Sequence, residues 1–247
     1  MKRFALISLL MTQSAFASGL DDLRSALVPL QGQGALRGAY EARETRTLLD
    51  EKPAKPPETV SASALVEEDA NGLEIRWDRT LLKRASDEGS MSKGAKRKVA
   101  LSQLIGSTTA PRVSQAVNYA PYLLQYLATG TLRGERMDAF NGKPARLIEV
   151  MVVPQEEENS KVSIKDNSHI AQIWLGPDNL PLAATIQHNI KASLMVFLSY
   201  EKSSKEEMTF AVAANRLVVL KREDAGKEKG PGMDSTFRNL YTFTPKG

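Results

Sequence analysis

The sequence contains no cysteine among its 247 residues. Disulfide bridges and thiolate metal sites are therefore excluded, and stability must come from the packing of a hydrophobic core. Histidine is scarce too: there are two, His169 and His188, whereas a zinc site needs three or four ligands. After residue 17 no apolar run approaches the roughly 20 residues that span a bilayer, so we do not expect an integral membrane protein.

A large charge of one sign is also missing, since 33 basic residues face 29 acidic ones. Without a basic excess the chain has little to neutralise phosphates, and we expect no nucleic-acid partner. The densest basic segment is residues 93–98 (KGAKRK), within a polar stretch at 86–98. We interpret that stretch as a solvated loop; contact with anionic lipid headgroups or an acidic partner is the alternative.

The first residues have the pattern of a secretory signal peptide. Lys2 and Arg3 are positively charged, residues 4–11 are apolar, and residues 15–17 (AFA) form a small-residue cleavage site. We predict export to the periplasm with cleavage after Ala17. Residues 18–247 then form a single β-rich domain, with a helical and loop insert at about 80–130.

Motifs for catalysis are lacking as well. No G-x-S-x-G turn is present, and the paired acids lie in predicted turns and at a helix start, where solvation accounts for them. His188 falls on the apolar face of a predicted strand, where we expect a hydrogen-bonded histidine, whereas His169 is expected to be solvated. We therefore predict a protein that is not an enzyme and that uses no cofactor and no metal.

Two segments have helical periodicity. Residues 20–30 carry leucines at i, i+3 and i+7 behind two early aspartates. Residues 111–129 carry a broad apolar stripe, with Pro121 inside it, which predicts a kink or two short helices.

The remaining pattern is mostly strand-like alternation, with turn signals at Asn71-Gly72, Asn141-Gly142 and residues 176–179. Residues 52–57 and 156–159 are predicted loops, and residues 225–234 a flexible, glycine-rich connection. The predicted strands are 36–48, 59–66, 73–78, 137–140, 145–153, 161–164, 170–175, 182–190, 194–200, 208–222 and 236–244. The fold class is therefore α+β: a large curved antiparallel sheet, or half-barrel, covered by the N-terminal helix and the central helical insert.

Three segments resemble the outer-membrane lipoprotein carrier family (LolA/LolB-like). They are the helix and strand at residues 20–40, the strand–turn–strand IWLGPDNLPLA at 173–183, and the closing YTFTP at 241–245. The resemblance implies a half-open barrel closed by helices, with an apolar cavity for acyl chains. A shared fold does not by itself transfer the activity.

We predict a non-enzymatic periplasmic binding, carrier or chaperone-like protein with an apolar groove for a lipid or lipidated partner. The partner would be a lipid, a lipoprotein or another envelope protein. The alternative is an envelope protein–protein interaction or assembly module without a ligand cavity. The residues predicted to line the groove are Tyr40, Ile75, Trp77, Tyr122, Tyr126, Trp174 and Ile186.

Overall fold

The computed structural model describes residues 18–246 apart from 31, 33, 51–52, 54–55, 92–99, 154–161, 195–197 and 232. The predicted signal peptide, the basic segment 93–98 and the predicted turn at 156–159 lie outside the described residues, as does much of the loop at 52–57. The described helices are α1 (Gly19–Leu27), α2 (Arg79–Met91), α3 (Leu101–Ser107), α4 (Ala110–Val117) and α5 (Ala120–Leu127). The described strands are β1 (Leu36–Leu48), β2 (Glu58–Asp69), β3 (Gly72–Trp77), β4 (Gly130–Phe140), β5 (Lys143–Val152), β6 (Val162–Leu175), β7 (Pro181–Leu194), β8 (Leu198–Ala213), β9 (Arg216–Gly230) and β10 (Met233–Lys246).

All described strands join one antiparallel sheet in the order β3-β2-β1-β10-β9-β8-β7-β6-β5-β4. The sheet stays open, with β3 and β4 at its edges, and the helices cover one of its faces. This confirms the predicted α+β class with a curved, half-open sheet. No helix among the described residues is long and apolar enough to cross a membrane.

The two Asn-Gly signals are confirmed as hairpins. Asn141 and Gly142 connect β4 to β5 with φ values of 50° and 75°, the positive pair that a type I′ turn requires. Asp69 pairs with Gly72, which opens β3 at a φ of 113°.

A third hairpin was not predicted. Residues 208–222 were expected to form one strand, but Ala214 and Asn215 turn the chain between β8 and β9 with φ values of 48° and 53°. An Ala-Asn pair carries little turn signal, because alanine rarely adopts positive φ. The single-strand prediction is therefore wrong.

The predicted flexible connection at 225–234 is also wrong, because β9 continues to Gly230 and β10 starts at Met233. Gly226 lies inside the sheet, where a Cβ atom would come within 2.3 Å of the Ser203 carbonyl oxygen. This glycine allows a close backbone approach and does not mark a loop. Similarly, residues 162–164 and 170–175, which were predicted as parts of two separate strands, belong to one strand, β6.

The helical insert is more regular than predicted. Residues 86–91 belong to α2 and not to a loop, and residues 92–99 lie outside the described part of the chain. Asp78 caps α2, since its Oδ1 accepts from the backbone N–H groups of Thr80 and Leu81 at 2.8 and 3.1 Å. The predicted split at Pro121 is confirmed, because the proline lies in the first turn of α5 and α4 has already ended at Val117.

The helices bury the covered face of the sheet in two core clusters that lie side by side. The first core packs α1 and α5 on strands β5–β9, with Leu23, Leu27 and Leu127 fully buried. The second core packs α2, α3 and α4 on β1, β2 and β10 around Tyr40 and Phe243.

A buried cation ties the segment after α1 to the sheet. Arg216, the first residue of β9, is 3% exposed and forms an ion pair with Glu68 of β2. Its Nη2 also donates to the carbonyl oxygens of Gly32 and Gly34, at 3.3 and 3.0 Å. One guanidinium therefore holds three separate parts of the chain together.

Candidate functional site

A cleft of about 550 Å³ lies between the α4–α5 segment and the covered face of the sheet. Tyr119, Tyr122 and Tyr126 line its helical side, and Val152 and Ile186 contribute apolar side chains from the sheet. Its polar lining residues are Gln115, Gln125, Thr129, His169, His188, Glu206 and Arg222. The cleft is therefore amphipathic, with an aromatic side and a polar floor.

The tyrosines reach the cleft because of their positions around α5. Tyr122 and Tyr126 are four residues apart and share a helix face, next to the buried Leu123 and Leu127. Tyr119 caps the helix and stacks on Phe210 of β8, with ring centroids 5.6 Å apart. Burial raises the pKa of Tyr119 and Tyr126 well above the usual tyrosine value, so both phenols stay neutral.

Two histidines meet on the floor, because His169 of β6 and His188 of β7 are direct cross-strand partners. Their ring centroids are 4.4 Å apart, and the Tyr126 ring lies 6.0 Å from His169. Both ring nitrogens of His169 and the Tyr126 hydroxyl are buried and have no hydrogen-bond partner among the described residues. The prediction of a solvated His169 is wrong, because the residue lies in the middle of a long strand and not at its start.

Beside the histidines lies a buried ion pair. Glu206 of β8 is 5% exposed, and both of its carboxylate oxygens contact Arg222 of β9, at 2.9 and 3.0 Å. His188 Nε2 lies 3.5 Å from the same carboxylate, which confirms the predicted polar partner for His188. Arg222 also donates to Gln115 Oε1 at 3.3 Å, which links the sheet to α4.

The neighbours of Glu206 affect the pKa of its carboxyl more than its burial does. Desolvation alone would raise the pKa of this carboxyl, but hydrogen bonds and charge from His188 and Arg222 bring the pKa below its usual value. Burial likewise opposes the charge of Arg222, yet Glu206 raises the pKa of the guanidinium overall. The pair therefore stays ionised at neutral pH.

The structure brings three of the seven predicted groove residues into the cleft: Tyr122, Tyr126 and Ile186. Tyr40 lines a smaller neighbouring cavity, while Ile75 and Trp77 pack against the second core. Trp174 lies on the opposite face of the sheet, because its strand neighbours Ile173 and Leu175 are buried on the covered face. There its indole Nε1 donates to Asp138 Oδ2 at 3.1 Å.

Sequence reasoning missed Gln115, Glu206 and Arg222. Glu206 and Arg222 belong to charged runs, which we did not assign to the covered face. The signal that places Glu206 is its spacing of two and four residues from Met208 and Phe210, which are both buried in the first core. Among the described residues, no group of three or more His, Asp or Glu side chains is placed to hold a metal ion.

The His169 ring predicts a pH dependence of stability. Burial, and next the charge of His188, lower the pKa of His169 from 6.5 to about 4, against an opposing effect of Glu206. Because the folded-state pKa is the lower one, the contribution of neutral His169 is present above pH 6.5 and is lost as the pH falls from 6.5 towards 4. A full shift would amount to about 3 kcal/mol. Because His169 as a whole is only partly buried, although its two nitrogens are covered, we expect about 1 kcal/mol.

Urea unfolding of the His169→Gln variant at pH 7.5, 5.5 and 4.5 tests this expectation. The variant should lose less stability across the acid range than the original protein does. Equal losses in the two proteins would show that His169 does not titrate in this window.

Comparisons with known proteins do not assign this chain to a family. No protein-family model and no curated protein matches the chain. Among solved structures, the crystal structure of MucB in complex with MucA(peri) aligns with 91% of this chain and 94% of that chain, at 7% sequence identity and a TM-score of 0.21. So low a similarity carries no inference about function, and the resemblance to the lipoprotein carriers stays a prediction.

Proposed function

We propose that the protein is a non-catalytic binding protein of the bacterial envelope, and that the cleft holds the acyl chain of a lipid or of a lipidated partner. The observation that carries the proposal is the amphipathic lining. Aromatic and aliphatic side chains line much of the cleft, and among the described residues the buried nitrogens of His169 and the buried hydroxyl of Tyr126 have no hydrogen-bond partner.

Buried polar atoms without partners are uncommon in folded proteins, because each costs about 1–3 kcal/mol. A ligand with a polar head beside its acyl chain would satisfy these atoms and bury the chain against Ile186 and the tyrosines. The cleft also falls within the range of about 300–1,000 Å³ for ligand pockets. Its chemistry therefore supports an amphipathic occupant.

The polar groups of the cleft support binding over catalysis. Both oxygens of Glu206 are engaged by Arg222, so the carboxylate is not available as a general base. The lowered pKa of His169 keeps this ring neutral, and among the described residues neither of its nitrogens has a hydrogen-bond partner that would orient it. The polar groups of the cleft are thus held in fixed positions as donors and acceptors. None of the described lining residues is an activated nucleophile, so the arrangement favours binding.

A second candidate, a protein-interaction module, has one observation in its favour. β4 is an edge strand, and its Met137 side chain is 70% exposed. An exposed edge can pair with a strand of another protein. Charged side chains such as Arg133 and Arg136 line the same strand and oppose nonspecific pairing, so the cleft remains the better-supported site.

Replacing Ala128 with tryptophan tests the acyl-chain proposal. Ala128 is exposed at the end of α5 and lines the cleft, so an indole there narrows the entrance without disturbing the core. We expect cis-parinaric acid to bind the original protein and its affinity for Ala128→Trp to fall by about tenfold or more, equivalent to about 1.4 kcal/mol. The fluorescence of the probe reports both results.

Ala110→Trp is the matched control, because Ala110 is an exposed helical alanine outside the cleft lining. This variant should bind the probe as the original protein does. Absence of probe binding to the original protein, or equal binding by Ala128→Trp, would overturn the proposal. A stable protein complex in native mass spectrometry, with the cleft empty, would favour the interaction module.

A further inference from the structure

A second cavity, of about 190 Å³, adjoins the cleft and shares Gln115 and Arg222 with it. It lies between α4 and strands β1, β8, β9 and β10, and its chemistry differs from that of the cleft. Its volume is below the range of about 300–1,000 Å³ for pockets that enclose larger ligands. It therefore suits a single ring or a small headgroup.

Two acceptor oxygens in this cavity have no hydrogen-bond partner among the described residues. Asp224 of β9 and Asn239 of β10 are directly opposite each other in the sheet, and both side chains line the cavity. The Oδ1 atom of each is buried without a hydrogen-bond partner among the described residues. The other oxygen of Asp224 lies 3.8 Å from Lys202 Nζ, beyond ordinary hydrogen-bond distance. The cavity thus presents acceptors that a donor-bearing ligand would satisfy.

Donors line the same cavity. Arg112 of α4 donates through Nη1 to the Tyr241 hydroxyl at 3.0 Å, and its guanidinium carbon lies 5.3 Å from the Tyr241 ring centroid. Lys202 contributes an ammonium group, and its Nζ lies 4.9 Å from the Phe237 ring centroid. These two cations and the two acceptor oxygens line the same small cavity. The lining therefore offers a ligand both hydrogen-bond donors and hydrogen-bond acceptors.

An aromatic surface completes the cavity. The rings of Tyr40 and Tyr241 stack with centroids 6.3 Å apart and an interplanar angle of 24°. Burial raises the pKa of both phenols, so their hydroxyl groups stay protonated at neutral pH. Tyr40 is fully buried, whereas Tyr241 is only partly buried and presents apolar surface beside the polar groups.

We propose that this cavity binds one saccharide ring. A simple anion would be repelled by Asp224 and would leave the Asn239 oxygen unsatisfied, whereas a simple cation would face Arg112 and Lys202. A sugar hydroxyl both donates and accepts, so it matches neighbouring acceptors and cations, and the C–H groups of the sugar ring contact Tyr241, which is only partly buried. The inference stands apart from the acyl-chain proposal, because different residues and a different cavity carry it.

Saturation-transfer NMR with D-glucose, D-galactose and N-acetyl-D-glucosamine tests the site on the full chain. At least one of the three sugars should receive saturation from the protein. Asp224→Ala and Asn239→Leu should each weaken its binding by about tenfold, as expected for the loss of a hydrogen bond to a buried group. Glu207→Ala is the matched control, because this neighbouring acid on β8 is about half exposed and pairs with Lys205 outside the cavity.

Should the Asp224 variant not fold, Arg112→Gln provides a second test, because Arg112 is only partly buried on the outer helix layer. This variant should also weaken sugar binding, while cis-parinaric acid binding in the cleft stays unchanged. The proposal is overturned if none of the three sugars binds, or if the variants bind sugar as the original protein does. Binding of inorganic phosphate that Arg112→Gln abolishes, without sugar binding, would identify an anion site instead.

Discussion

Replacing Arg216 with methionine is expected to lower the free energy of unfolding by about 3 kcal/mol or more. The Arg216 side chain is 4% exposed, so the loss of its guanidinium leaves the Glu68 carboxylate and the carbonyl oxygens of Gly32 and Gly34 without their donor. Burying unpaired polar groups is the costly part of such a change. Urea denaturation at pH 7, followed by circular dichroism, measures the difference.

The matched control is Arg76→Met, which removes an arginine from an exposed ion pair with Glu74. Both side chains of that pair are more than half exposed, so the cost should be between about 0 and 1 kcal/mol. The double variant Arg216→Met with Glu68→Leu should recover part of the lost stability, because it removes both charges of the buried pair. Equal costs for Arg216→Met and Arg76→Met would show that the buried pair does not stabilise the fold.

Truncating Leu23 to alanine is expected to cost about 2–5 kcal/mol. Leu23 is fully buried in the first core, where α1 packs against α5 and β5. The substitution removes apolar contacts and leaves a cavity that the rigid sheet on one side cannot readily fill. The same urea measurement applies, and hydrogen exchange separates global unfolding from detachment of α1 alone.

Val28→Ala, at the end of the same helix, is the comparison, because Val28 is 57% exposed. A surface truncation of this kind should change stability by no more than about 0.5 kcal/mol. If Leu23→Ala were as mild as Val28→Ala, the docking of α1 would contribute little to the stability of the domain.

Most of the sheet was predictable because its strands bury one face. β1 was predicted with its observed bounds, since apolar and polar residues alternate along its first half and Gly34 precedes it. The hairpins at Asn71-Gly72 and Asn141-Gly142 followed from turn chemistry that those residue types favour locally. The Ala214-Asn215 turn did not, because the pairing of β8 with β9 along their length imposes positive φ there against local preference.

In the helical insert, too, one feature followed from local sequence and another depended on tertiary contacts. Pro121 predicted the break before α5, because a proline favours the first turn of a helix. The end of α2 is polar and contains Gly89, so local propensity argued against a helix there. Ala85 is buried in the second core, and this tertiary contact supports a helix that the sequence alone does not favour.

Only part of the candidate site could be predicted from the sequence, because its other residues are brought together by contacts between strands. Tyr122, Tyr126 and Ile186 were predicted to share a groove because they lie on apolar faces. The pairing of His169 with His188 and of Glu206 with Arg222 depends on strand register, which single-strand patterns do not contain. Trp174 was misplaced because an aromatic residue in a strand can lie on either face.

The order of strands also constrains how the chain folds. β10 pairs with β1 on one side and β9 on the other, so it joins the β1–β3 unit to the strands β4–β9. These two parts cannot form a continuous sheet until β10 has been synthesised and is free to pair. The β1–β10 contacts span almost the whole described chain, and such long-range closure slows folding.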